Sequence, residues 1–61
     1  MIDVNDVFIS KESNTILRVL SYTGEGFYQE CYCLLEKNGE CWNWSHSSMY
    51  IERFYTKMES F

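Results

Sequence analysis

Phe27-Tyr28-Gln29-Glu30-Cys31-Tyr32-Cys33-Leu34-Leu35-Glu36-Lys37, then Asn38-Gly39, then Glu40-Cys41-Trp42-Asn43-Trp44-Ser45, is the stretch that decides the fold. Asn-Gly between two runs of strand-forming residues is the strongest short-range hairpin signal, because both central residues of the tight turn need positive φ. With Asn38 and Gly39 at the centre, Lys37 faces Glu40 as an opposite-charge pair. Leu35 then faces Trp42, Cys33 faces Trp44 and Cys31 faces His46. Side chains alternate across a strand, so this register puts Phe27, Cys31, Cys33, Leu35, Trp42 and Trp44 on one face, the expected core face. Tyr28, Tyr32, Leu34, Glu36, Cys41 and Asn43 fall on the other.

Towards the N-terminus, the apolar segment Val4–Ile9 is separated from the β-branched run Thr15–Tyr22 by Ser10-Lys11-Glu12-Ser13-Asn14, five polar residues of turn-forming type. This predicts a second hairpin. Gly24 and Gly26 then permit a reversal before a third strand that begins at Phe27. Towards the C-terminus, His46-Ser47-Ser48 offers a cap for a short helical turn through Met49 and Tyr50, followed by a last strand over Ile51–Lys57. In that strand Ile51, Arg53 and Tyr55 share one face, with Phe54 on the other.

Composition agrees with a β-rich chain. There is no alanine and no proline, while Val, Ile, Thr, Tyr, Phe and Trp supply about a third of the residues. The 61 residues make one small domain, 1–61, with no room for a second core. A domain of this size buries only about 60% of its unfolded surface, so its core must be dense, and two Trp, five Tyr and four Phe serve that need. The expected fold is mostly β: a small, partly open five-stranded antiparallel SH3-like barrel with a short helical turn before the last strand, since closing the sheet removes exposed edges. The competing picture is an antiparallel sheet packed by one C-terminal helix, Ser48–Met58, in which Met49, Phe54 and Met58 lie near helical spacing.

The segments Asp6-Val7-Phe8, Thr15-Ile16-Leu17-Arg18-Val19-Leu20, Cys31-Tyr32-Cys33-Leu34-Leu35 and Ile51-Glu52-Arg53-Phe54-Tyr55 resemble the small SH3-like barrel proteins common in bacteriophage and prophage genomes. The likeness covers most of the chain and rests on strand rhythm. It implies a protein that binds and modulates a host protein, defence enzymes included, and it carries no residue roles with it.

Charge and motif exclude several other classes. Nine acidic against five basic residues give a net charge of −4, the wrong sign for direct phosphate or nucleic-acid binding. The longest apolar run, Cys31–Leu35, is far too short to span a membrane, and three cysteines without a secretory signal indicate a reduced, cytoplasmic setting, the host cytoplasm for a phage-encoded chain. Cys31, Cys33, Cys41 and His46 are zinc-ligand types, but the hairpin register turns Cys41 away from the rest, so no metal or other cofactor is expected. Cys31 and His46 are cross-strand neighbours that face the core rather than a substrate, and no orienting Asp or Asn joins them, so no catalytic residues are assigned. Gly24-Glu25-Gly26 lacks the lysine and helix of a phosphate loop.

What remains is the outer face of the long hairpin. Tyr28, Tyr32 and Leu34 stand in a row with Glu30 and Glu36, and Tyr22 is expected to join them from the neighbouring strand. A barrel encloses one face of each strand, so a tyrosine-rich, acid-rimmed stripe matches the composition of a protein-binding surface. The expectation is therefore a non-catalytic, cytoplasmic protein that binds and inhibits or modulates a host protein through Tyr22, Tyr28, Glu30, Tyr32, Leu34 and Glu36. A homodimer hiding the same stripe is the second possibility for that surface. The alternative function is an SH3- or Tudor-like peptide reader whose rim aromatics, Tyr22, Tyr28, Trp44 and Tyr50, form a cage.

Overall fold

Asn38 and Gly39 both adopt left-handed backbone, at φ 53° and 82°, as a two-residue hairpin turn requires. A Cβ added at Gly39 would meet nothing within 4 Å, so the backbone angle rather than lack of space selects glycine there. The turn joins Glu30–Lys37 (β3) to Glu40–Ser47 (β4), and all four expected pairs form: Lys37 with Glu40, Leu35 with Trp42, Cys33 with Trp44 and Cys31 with His46. The computed structural model describes residues 2–25 and 29–58. Phe27 and Tyr28, expected on the core face and the outer face respectively, lie outside the described residues.

Val7–Ser10 (β1) and Ile16–Thr23 (β2) form the second hairpin. Its connection is held by the Ser10 hydroxyl, which accepts from the amides of Glu12 and Ser13 and from the Ser13 hydroxyl. Ser48–Phe54 (α1) follows β4, and Tyr55–Lys57 (β5) pairs with β1. The described strands make one antiparallel sheet in the order β4-β3-β2-β1-β5.

That order corrects two expectations. The described strands form an open sheet, with β4 and β5 as its edges, where a small, partly open barrel was expected. The last strand is also shorter than Ile51–Lys57, because Ile51–Phe54 is helical. The Ser47 hydroxyl accepts the Tyr50 amide as an N-cap, and the one-sided burial of a helix brings Ser48 and Ile51 inward. Only Tyr55–Lys57 remains for β5. The antiparallel sheet packed by one helix is thus what forms, although the helix ends at Phe54 rather than Met58. Lys11, from the β1–β2 connection, secures that end by donating its Nζ to the Arg53 carbonyl at 3.0 Å.

The core lies on one face of this sheet. Leu17, Val19, Cys31, Cys33 and Leu35 point into it from β2 and β3, and Ile2, Phe8 and Ile51 complete it. Each fully buried aliphatic side chain stabilises the fold by about 1.5–3 kcal/mol. Trp44 and Tyr55 pack on its rim from the two edge strands, with ring centroids 6.2 Å apart, so the sheet curls enough for its edges to approach across the core. Trp42 faces the same side yet remains 41% exposed. It stands near the turn end of the edge strand, where the core cluster gives it no cover.

A buried amide closes one end of the core. Gln29 Nε2 donates to the Ile2 carbonyl at 2.9 Å, and the Ile2 amide donates to Gln29 Oε1 at 3.2 Å. The side chain thereby acts as a strand partner for the N-terminal segment and satisfies backbone groups whose burial would otherwise be costly.

Candidate functional site

On the face of β2, β3 and β4 turned away from the core, Ile16, Leu20 and Tyr32 stay in solvent. Glu30, Tyr32, Leu34 and Glu36 alternate along β3, so all four lie on this face as expected. Residues directly opposite in an antiparallel pair share a face. On β4 that places Ser45 beside Tyr32, Asn43 beside Leu34 and Cys41 beside Glu36, and on β2 it places Arg18 beside Leu34 and Ile16 beside Glu36.

Tyr22 does not join this row. The β2–β3 register shifts between Val19 and Ser21, after which Ser21 pairs with Tyr32 and Tyr22 pairs with Cys31. One extra residue in a strand moves every later side chain to the other face, so Tyr22 belongs to the side of Cys31. The irregularity supplies Leu20 instead, a residue the sequence did not single out. Leu20 is 46% exposed and Tyr32 43%. Together with Ser21, Asn43 and Ser45 they line a shallow groove of about 430 Å³, floored by Cys33 and Trp44. Nothing in the local sequence marks the shift: neither glycine nor proline is present between Val19 and Tyr22.

The electrostatics of the face are mixed rather than uniformly acidic. Glu30 and Glu36 lie at the two ends of the β3 row, and Arg18 stands beside its middle, at Leu34. The apolar side chains of Leu20, Tyr32 and Leu34 are thus bounded by Glu30 and Glu36 along β3 and flanked by Arg18 on β2.

The other candidate chemistries meet different geometry. Cys31 and His46 are paired across the strands on the inner side. Burial, then the nearby Glu30 and Glu52 carboxylates, pushes the Cys31 thiol above its ordinary range, which keeps it in the poorly nucleophilic neutral form. Burial, with a smaller contribution from Cys31, pushes the Cys33 thiol up to about 12. Cys41 pairs with Glu36 on the opposite face and is exposed. Among the described residues no group of three His, Cys, Asp or Glu side chains is arranged to hold a metal ion.

A second aromatic assembly lies where β4 runs into α1. His46 stacks on Tyr50 at 3.8 Å, Tyr50 meets Phe54 at 4.6 Å, and Trp44 contacts both His46 and Tyr50, at 5.2 and 5.9 Å. Tyr50 and Phe54 are one helical turn apart, and Arg53 lies over the Phe54 ring. Of the expected cage residues, Trp44 and Tyr50 are therefore brought together. Their rings contact each other, 5.9 Å apart at the centroids, and Tyr50 is stacked on His46.

Compared with known protein families, with curated proteins and with solved structures, the chain gives no significant match. No helix among the described residues is long and apolar enough to cross a membrane.

Proposed function

We propose that this chain is a non-catalytic, phage-type cytoplasmic protein that binds a folded host protein and inhibits or modulates it, a defence or nucleic-acid-handling enzyme being the kind of target its acidity suits. The docking surface is the outer sheet face: Leu20, Tyr32 and Leu34 are the apolar anchor, Glu30 and Glu36 set orientation at its two ends, and Arg18 does so beside Leu34. The observation that carries this reading is the Leu20–Tyr32 groove, where large apolar side chains stay about half exposed although the core on the opposite face is complete without them. Exposed apolar patches of this kind mark interaction sites more often than they arise by chance. The curl of the open sheet, with Trp44 approaching Tyr55 across the core, supports a relationship to small SH3-like barrels in which closure is incomplete.

The test is retention of host proteins from a bacterial lysate on N-terminally tagged wild type, Tyr32→Ala and Leu20→Lys chains. A stoichiometric protein held by the wild type and lost from both variants is expected. Equal retention by all three would overturn the assignment.

The peptide-reading alternative draws on the His46–Tyr50–Phe54 stack, whose Phe54 end is exposed. It predicts weak, roughly micromolar binding of short isolated peptides that is abolished by Phe54→Ala and indifferent to Tyr32→Ala.

A further inference from the structure

The two edges of the sheet are protected very differently. β5 is three residues long and carries Lys57, paired with Asp6 at 3.3 Å, so it is both short and charged. These are ordinary devices against strand-to-strand association. β4 has none of them. It is eight residues long, pairs with β3 at every position without a shift, and contains no lysine or proline. Its single acidic or basic side chain apart from His46 is Glu40, at one end.

The hydrogen-bond parity of this edge can be read directly. Ser48 donates its amide to the Gln29 carbonyl at 3.0 Å, so alternate residues back along β4, His46, Trp44, Trp42 and Glu40, bond towards β3. Cys41, Asn43, Ser45 and Ser47 direct their backbone groups the other way. The outward amide of Ser47 is taken by His46 Nδ1 at 2.9 Å. The outward groups of Cys41, Asn43 and Ser45 face the strand-free side of the edge in the sheet order.

We propose that this edge pairs with the β4 of a second copy of the same chain, antiparallel about a two-fold axis at Asn43. That register opposes Asn43 to Asn43 and Cys41 to Ser45, and the pairs exchange two backbone bonds each. On the inner side it sets Trp42 against the second copy's Trp44, which covers the otherwise exposed indole. It also sets Glu40 against the second copy's His46, a carboxylate opposite an imidazole whose Nδ1 already accepts the Ser47 amide, and keeps the two Glu40 side chains at opposite ends. A parallel arrangement would align them and repel. The self-complementary pattern of the strand therefore selects a second copy, related by an isologous contact. This edge shares Asn43, Trp44 and Ser45 with the Leu20–Tyr32 groove, but the pairing is made by backbone groups of β4 and does not rest on the host-binding reading; Tyr32→Ala touches the groove without touching the edge.

Sedimentation over a dilution series, together with residue-resolved amide hydrogen exchange, tests it. The expected result is a species of twice the 7.3 kDa chain mass. In that species the Cys41, Asn43 and Ser45 amides exchange at least about ten-fold more slowly than in the dilute monomer. Asn43→Lys, at an exposed position, opposes two like charges at the axis and should give a folded monomer, as should Ser45→Lys, while Tyr32→Ala should stay dimeric. A wild type that is monomeric throughout overturns the proposal. So does a dimer in which these amides exchange freely, or protection that appears only when a strand from a different protein is added.

Discussion

The two faces of the β2–β3–β4 layer are built from alternate residues of the same strands; the inner face is the more apolar, the outer face intersperses its apolar side chains with Arg18, Glu30, Glu36, Asn43 and Ser45, and the two end in different environments. On the inner face Leu17, Val19, Cys31, Cys33 and Leu35 are buried, because Ile2, Phe8 and Ile51 arrive from outside these strands to cover them. On the outer face Ile16, Leu20 and Tyr32 find no such cover and remain 38–46% exposed. Apolar content marks the inner face as the core, and cover, supplied by β1, by α1 and by the N-terminal segment that Gln29 ties down, decides how far each of its side chains is buried: Trp42, beyond that cover, stays 41% exposed.

The comparison breaks first if the inner face proves dispensable. Leu17→Ala removes a fully buried side chain and should cost about 3 kcal/mol, a loss large enough to leave much of so small a domain unfolded in a urea titration. Tyr32→Ala should shift the same titration by less than about 1 kcal/mol.

A smaller effect tests the cover itself. Gln29→Ala strips the Ile2 amide and carbonyl of their partners and should cost about 1.5 kcal/mol by thermal melting. It should also speed exchange at the Ile2 amide relative to the β3–β4 ladder.

The thiols sharpen the contrast chemically. Cys41 is exposed, whereas Cys31 and Cys33 are buried with raised pKa values. One thiol per chain should react quickly with an aromatic disulfide reagent at neutral pH, and the other two only as fast as the fold opens. The sign for stability follows from the same shift. Cys33 rises from its ordinary 9.0 to about 12 on folding, so the neutral thiol is the form the fold favours. Its contribution is complete below pH 9 and is lost as pH rises from there to about 12, which urea midpoints across that range should record. Tyr55, also raised, chiefly by burial, adds to the loss in the same direction above pH 10.

The smallest change belongs to the surface. Lys57→Ala breaks the ion pair between the solvent-exposed Lys57 and the partly buried Asp6 and should alter stability by less than about 1 kcal/mol, with the difference shrinking in high salt.

How far the sequence reached follows the same division. The β3–β4 register was legible because Asn38-Gly39 fixes it locally, and with it came the placement of Glu30, Tyr32, Leu34 and Glu36 on one face. Tyr22 was misplaced because strict alternation cannot foresee a shift that no glycine or proline announces. Ile51–Phe54 was read as strand because a β-branched and aromatic run suits either structure, and only the Ser47 cap and the burial of Ile51 decide for helix. The Gln29–Ile2 tie joins residues far apart in the chain, so no local pattern reveals it. The partly open barrel gave way to an open sheet for a related reason: a helix placed before β5 left that strand three residues long.

The central claim is that one face folds the chain and the other binds its partner. The most direct measurement follows side-chain resonances, methyl and aromatic, during titration with the host protein retained from lysate. The account predicts that Leu20, Tyr32 and Leu34 shift and broaden first, while Leu17, Val19 and Ile51 hold their positions and Tyr50 and Phe54 stay unchanged. Perturbation centred on Tyr50 and Phe54, with the Leu20–Tyr32 groove silent, would contradict it.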